Sequence, residues 1–286
     1  MGIFGSQPAK RTISAIAALA VTACLLAVGA AARPATPSPQ NYYLALGDSV
    51  AYGAQPTKMN APPSGFNSGY VDVFAGRLRT IAPKIQVVNY SCPGESTRTF
   101  VKGGCSGRGD VKGLHDPYKG AQLAAALAFL RAHPGRVSPI TLTLWGNDVV
   151  EVADACKGDP GCIQARAPHA FAQLGVRLAT IVEQLRAAAP NAEIIVTGAW
   201  NFNVGALPQT DPLFRSVDRS IARAAAAGKA QVAKLFPVFN PQGSVAREKA
   251  RLCAMTFICK GDVHPTNAGY RAIAAAVWTA SGFGRG

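Results

Sequence analysis

The chain has 286 residues, 49% hydrophobic and 15% charged, a balance that excludes a disordered chain and leaves room for one large domain with a substantial core. Its formal net charge is +14, but the basic residues are scattered and no aromatic-basic ribbon or zinc-finger spacing occurs, which argues against a nucleic-acid partner. The surplus reads instead as a solvated basic surface, able to adsorb to anionic lipid or acidic polymer.

At the N-terminus, Lys10-Arg11 precedes an apolar, Ala-rich stretch from Ile13 to Ala32 that closes on Ala30-Ala31-Ala32. This pattern reads as a secretory signal peptide over residues 1–32. The competing readings are an uncleaved anchor, because the run approaches spanning length, and lipid attachment at Cys24 after Val21-Thr22-Ala23. Removal of 1–32 takes away Lys10 and Arg11 and no acid, lowering the net charge from +14 to +12. Residues 33–40, rich in proline, read as an extended linker, and 41–286 as the single domain.

Within that domain, strand-like and helix-like segments alternate. Strands are expected at Tyr42–Leu46, Ile85–Tyr90, Ile140–Trp145, Glu193–Thr197 and Lys234–Phe239. Helices are expected at Gly69–Ile81, Gly120–Ala132, Ala165–Ala189, Leu213–Val232 and Asn267–Ser281, with Pro83, Pro134 and Pro190 just past three of them. This alternation predicts an α/β fold: a three-layer α/β/α sandwich, flavodoxin-like, around a five-stranded parallel sheet. The connections 53–68, 91–118, 146–164 and 240–263 read as long loops gathered at the carboxyl edge of the sheet, where open sheets bind ligands.

Seven cysteines are present, and Cys24 falls in the signal segment. The remaining six form three local couples: Cys92 with Cys105, Cys156 with Cys162, and Cys253 with Cys259. Three disulfides in an oxidising compartment are expected from these couples, since none has the C-x-x-C spacing of a zinc site.

Ser49, just past the first strand, is placed to act as a nucleophile, a role that a hydroxyl fills only when a base takes its proton. His264, just before the last helix, suits that base, because histidine titrates near neutrality. Thr266 or Asn267 is the expected cap of that helix. The backbone N–H groups of Ser49 and Gly94 and the side-chain amide of Asn147 lie after separate strands and offer donors for a developing oxyanion. Each residue alone has a plain structural reading: Ser49 as a helix cap, Asn147 as a turn residue, Gly94 as a conformational glycine. His115, His133 and His169 keep the structural reading.

Gly47-Asp48-Ser49, Gly94, Gly146-Asn147-Asp148 and Asp262-Val263-His264 stand in order, and with them the chain resembles the SGNH hydrolases, also called the GDSL esterase/lipase family, over about residues 41–281. The resemblance implies Ser49 as nucleophile, His264 as base, an oxyanion hole of Ser49, Gly94 and Asn147, and no cofactor. The three cysteine couples are similar to those of secreted actinobacterial members. Two positions depart from the family pattern. Trp145 stands where a glycine is usual two residues before the Asn, and Gly261 stands where the acid is usual, leaving Asp262 one residue closer to His264. Either Asp262 or a backbone carbonyl from 253–262 orients the imidazole. A Gly-x-Ser-x-Gly elbow of the α/β-hydrolase type does not occur.

The expected protein is therefore a secreted, monomeric serine ester hydrolase acting on lipid or small acyl esters. A polysaccharide O-deacetylase and a non-catalytic secreted binding protein are the alternatives. Phe66, Phe100, Trp145, Trp200 and Phe202 either line an acyl groove or belong to the core.

Overall fold

In the computed structural model, which describes residues 38–284, the first strand β1 (Tyr42–Gly47) is an unbroken apolar run buried along nearly its whole length. Such a run suits a strand covered on both faces. One helical turn, α1 (Ser49–Tyr52), follows it directly, then α2 (Tyr70–Ile81), β2 (Gln86–Asn89), α3 (Thr97–Lys102) and α4 (Gln122–Ala132). The centre of the chain holds β3 (Val137–Thr143), α5 (Gly146–Ala155), α6 (Pro160–Ala188) and β4 (Ile194–Thr197). The last third holds α7 (Asp211–Ala227), β5 (Gln231–Ala233), α8 (Phe236–Phe239), α9 (Val245–Met255) and α10 (Asn267–Ser281).

The five strands pair in parallel in the order β2-β1-β3-β4-β5. Helices α2 and α10 pack together over one face, while α4, α6 and α7 pack over the other, giving the expected three layers. The periodicity that drives this is plain in α7, where Phe214, Val217, Ile221, Ala224 and Ala225 form its buried stripe. The expected signal segment 1–32 lies outside the described residues, as does the linker 33–40 except for its last three residues. No helix among the described residues is long and apolar enough to cross a membrane.

The fifth strand differs from expectation. It occupies Gln231–Ala233, not Lys234–Phe239, and the helix expected to reach Val232 stops at Ala227. Gly228 lies so close to Val182 that a side chain there would collide with it, and Lys229 then takes a positive φ of 53°, turning the chain back toward β4. Phe236–Phe239 instead forms a single helical turn, α8, with Pro237 in its first turn. Proline has no N–H to give to a strand ladder but is tolerated in a first helical turn. The third strand is shifted toward the N-terminus, ending at Thr143, so that Trp145 caps α5. Segment 146–164 is likewise not a long loop. It holds α5 and the start of α6, which Asp159 caps by accepting from Cys162 N–H, with Pro160 at the first helical position.

All three expected disulfides are formed: Cys92–Cys105, Cys156–Cys162 and Cys253–Cys259. The first closes the segment after β2, the second the turn between α5 and α6, and the third the end of α9. The first encloses Gly94, and the third encloses Thr256 and Phe257, which contact the segment that carries His264.

Candidate active site

The strand order reverses direction between β1 and β3, both of which neighbour each other in the sheet. A crevice opens at such a switch point beyond the strand ends, because the two connections leave toward opposite faces. Ser49 leaves the end of β1 and Gly146-Asn147 the end of β3, so the sheet places them on either side of that crevice.

Gly47 makes the exit from β1 possible. Its φ is +130°, and a Cβ there would run into the Thr143 carbonyl oxygen of β3. Gln122, fully buried on α4, grips this residue with both ends of its amide: Oε1 accepts from Gly47 N–H at 2.6 Å and Nε2 donates to Gly47 O at 3.0 Å. Asp48 then caps α1, accepting from Val50 N–H at 2.9 Å. Ser49 is the first residue of that turn, where a backbone N–H has no partner in the helix. Its N–H and its Oγ are both without a hydrogen-bond partner among the described residues.

On the second connection, Gly94 lies in the loop closed by Cys92–Cys105 and has φ +76°, and a Cβ there would meet Ser106 Oγ and the Gly107 N–H just past that disulfide. Its own N–H is also unpaired among the described residues. Glu95, the next residue, is buried, and burial pushes its carboxyl up. The Glu95 carbonyl accepts from Asn147 Nδ2 at 2.9 Å, which fixes the orientation of that amide.

Asp148, beside Asn147, is anchored more firmly still. Its carboxylate accepts from Thr97 N–H at 2.9 Å, from Thr97 Oγ1 at 2.5 Å and from Arg177 Nη2 at 3.1 Å. Arg177 Nε also donates to Thr97 Oγ1 at 2.7 Å, so one network ties α3, α5 and α6 together behind Asn147. Burial raises the Asp148 carboxyl, against the Thr97 and Arg177 contacts that favour its charge.

His264 Nδ1 lies 2.8 Å from Asp262 Oδ1, and the same oxygen accepts from His264 N–H at 2.8 Å. Of the two expected ways of orienting the imidazole, the structure therefore shows the carboxylate. Burial alone would raise the Asp262 carboxyl, but its bonds to His264 outweigh that and hold it below its ordinary value. The His264 carbonyl accepts from Phe257 N–H at 2.9 Å, and Thr256 bridges to Pro265. Both partners lie inside the Cys253–Cys259 loop, so this disulfide braces the histidine. Thr266 caps α10, as one of the two expected residues.

These groups share one cleft. Asp48, Ser49, Asn147 and His264 line it with Val150 and Val263, and Trp145, Trp200 and Phe202 form its aromatic wall. Ser49 Oγ and the imidazole make no direct hydrogen bond, a contact that commonly tightens only when substrate binds. Gly94 stands one residue before Glu95, whose carbonyl holds the Asn147 amide that lines the cleft. Of the five aromatic residues considered from sequence, Trp145, Trp200 and Phe202 reach the cleft, whereas Phe66 and Phe100 are wholly buried in the core. His115 bonds to the Tyr52 carbonyl and His133 to the Phe129 carbonyl, and neither they nor His169 line the cleft.

Gln122, Thr97 and Arg177 were not legible as site residues. They sit mid-helix or at a helix start, with no motif around them, and only packing brings them behind the cleft.

Asp48 carries a pH signature. Burial is the largest influence and pushes its carboxyl up to about 7, against the Val50 N–H bond and the nearby His264. Between about pH 4 and pH 7 the folded chain then holds a proton at Asp48 that the unfolded chain has lost. Stability therefore falls as pH rises through that window. Asp48→Asn keeps the capping oxygen and removes the titration. Urea midpoints measured from pH 4 to 8 should decline less steeply in the variant, and parallel declines would count against a protonated Asp48.

Comparison with known proteins gives the family and the fold. The model of the GDSL-like lipase/acylhydrolase family matches residues 45–272, which takes in Ser49, Gly94, Asn147 and His264. Among solved structures, a protein described as a GDSL-like lipase from Parabacteroides merdae is 16% identical, with a TM-score of 0.58 over 86% of this chain and 98% of that one. A variant of the acetyl xylan esterase Axe2 from Geobacillus stearothermophilus is 17% identical, with a TM-score of 0.57 over 87% of this chain and 97% of that one. At these identities the structures speak for the shared fold. No curated protein matches the sequence. With the family model covering most of its length, the chain belongs to the GDSL-like lipase/acylhydrolase family and is a serine ester hydrolase.

Proposed function

We propose that Ser49 and His264 carry out ester hydrolysis through an acyl-enzyme, with Asp262 orienting the imidazole and Ser49 N–H, Gly94 N–H and Asn147 Nδ2 receiving the oxyanion. Ser49 Oγ attacks the ester carbonyl carbon as His264 Nε2 takes its proton. The tetrahedral intermediate collapses, and His264 returns the proton to the departing alcohol oxygen. Water, deprotonated by His264, then attacks the acyl-enzyme and frees the carboxylic acid and Ser49. Asp262 stabilises the imidazolium formed in each half-reaction, and its lowered pKa keeps it ionised for that purpose.

The observation that carries this reading is the single cleft shared by Ser49, Asn147 and an imidazole already paired with a carboxylate. A non-catalytic binding protein has no need of that pairing. The disulfides and the leader-like N-terminus support export, and a net charge of +12 without the leader supports adsorption to anionic surfaces. The substrate would be an acyl ester, of a lipid or of an acylated glycan. The Geobacillus acetyl xylan esterase lends the glycan reading some weight by its shared fold.

A fluorophosphonate tests the assignment without any choice of substrate. Ser49 Oγ attacks phosphorus, fluoride leaves, and the stable adduct adds one phosphonyl group. Peptide mass spectrometry is expected to find that group on Ser49 alone. Labelling at a different serine, or none in the folded protein, would refute the nucleophile.

A further inference from the structure

We infer that Trp145 closes the acyl end of the cleft and limits the substrate to esters of short acids, about two to four carbons long. This rests on the proposed roles of Ser49 and His264 and narrows the substrate class they serve.

The cleft is small, about 50 Å³. A water-sized group needs roughly 10–15 Å³ of such space, so the cleft admits about four of them. An acetyl or butyryl group is of that size, and an octanoyl group is not.

The lining of the cleft is uneven: Val150 and Val263 are 37% and 40% exposed, whereas Trp145 and Trp200 are each 2% exposed. With His264 directly after Val263, the alcohol oxygen that receives the histidine's proton is assigned to the exposed valine side. The alcohol can then leave over the valines. The acyl group, which stays on Ser49 through the second half-reaction, is left with the buried aromatic end.

That end does not yield easily. Trp145 packs edge-on against Trp200, with ring centroids 5.0 Å apart at 82°, and lies nearly parallel to Phe202 at 6.0 Å. Behind them Trp200 stacks on Phe239 at 4.6 Å and Phe202 meets Phe214 at 4.9 Å. Phe239 and Phe214 are themselves buried in the main core. Turning Trp145 aside for a longer chain would therefore displace two rows of rings from a close-packed interior. Trp145 is also two residues from Asn147, so the wall keeps a fixed distance from the oxyanion donor.

The test is a set of kcat/KM values for p-nitrophenyl acetate, butyrate, octanoate and dodecanoate, with wild type, Trp145→Phe, Trp145→Ala and Ser49→Ala. Wild type should prefer acetate or butyrate over octanoate by about tenfold or more, as a few methylenes against a closed wall require. Trp145→Ala should reverse that preference, and Trp145→Phe, which keeps a ring and the fold, should fall between. In a parallel series of acetates with methyl, ethyl and naphthyl alcohols, the ratios of kcat/KM between the alcohols should be the same in wild type and both variants, whatever their absolute values. Wild-type preference for octanoate or dodecanoate would overturn the inference. So would an unchanged acyl profile in folded Trp145→Phe, or a shift confined to the alcohol series. Activity that survives in Ser49→Ala would instead strike the nucleophile assignment, which keeps the two failures apart.

Discussion

Ser49→Ala is expected to lower kcat for any hydrolysed ester by on the order of 10⁴-fold or more, with little change in KM. The substitution removes one oxygen from a side chain that makes no hydrogen bond within the described protein, so neither fold nor cleft should suffer. What it removes is the atom that bonds to the acyl carbon, and nothing nearby replaces it: Asn147 and Asp48 are held in other bonds. His264→Ala should cost a similar factor. The double variant should be scarcely worse than either, because nucleophile and base act as one unit and losing one idles the other. Asp262→Asn should cost less, since His264 N–H can still bond to the remaining side-chain oxygen. Steady-state kinetics on a short-chain ester, with thermal melting as the folding control, check the set. A loss below tenfold in Ser49→Ala would mean that the chemistry is done elsewhere.

Arg177→Met is expected to destabilise the fold by about 3 kcal/mol, although Arg177 lies outside the cleft. Asp148 has a side chain only 4% exposed, and among the described residues Arg177 is the one cation paired with it. Without that partner a buried carboxylate must either bear its charge with only the Thr97 donors or take up a proton. Both options cost free energy that the unfolded chain does not spend. The guanidinium also bonds Thr97 through Nε, a fork that lysine cannot reproduce, so Arg177→Lys should restore the variant only in part. Asp148→Asn in the same chain removes the charge that needs a partner and should recover much of the loss. Urea unfolding of the two single variants and the double completes the cycle. Additive effects would show that Arg177 and Asp148 are not energetically coupled. Because Asp148 adjoins Asn147 in the first turn of α5, the same variants should also lower kcat more than they raise KM.

The parts that could be read from the sequence are those governed by neighbours along the chain. Apolar runs and helical periodicity gave four strands and three helices to within three residues, and two further helices to within five. The cysteine spacing gave three local pairings, because short loops favour closure between near neighbours. Ser49, Asn147 and His264, which the structure brings into one cleft, could be singled out as candidates because each follows or precedes an element in a short motif.

Where tertiary contact decided the outcome, local pattern failed. Val232 suits a helix or a strand by itself; it became a strand residue because β4 offered a free edge and Gly228 against Val182 turned the chain. Trp145 could equally have been groove or core, and it is both: buried in the core, with one part forming the wall of the cleft. Asp262 acquired its partner only when the Cys253–Cys259 loop set the backbone of His264, since two residues' separation alone does not fix a side-chain angle. Gln122, Thr97 and Arg177 carry no signal at all along the chain, being ordinary helix residues. Their importance arises from burial beside backbone and carboxylate groups that cannot reach water, where each unmet hydrogen bond is costly. Periodicity and spacing along the chain account for the layers and the crosslinks, and for the order in which the proposed reactive groups occur. How those groups are held and how much room they leave for a substrate follow from close packing between segments far apart in the chain, which no local pattern records.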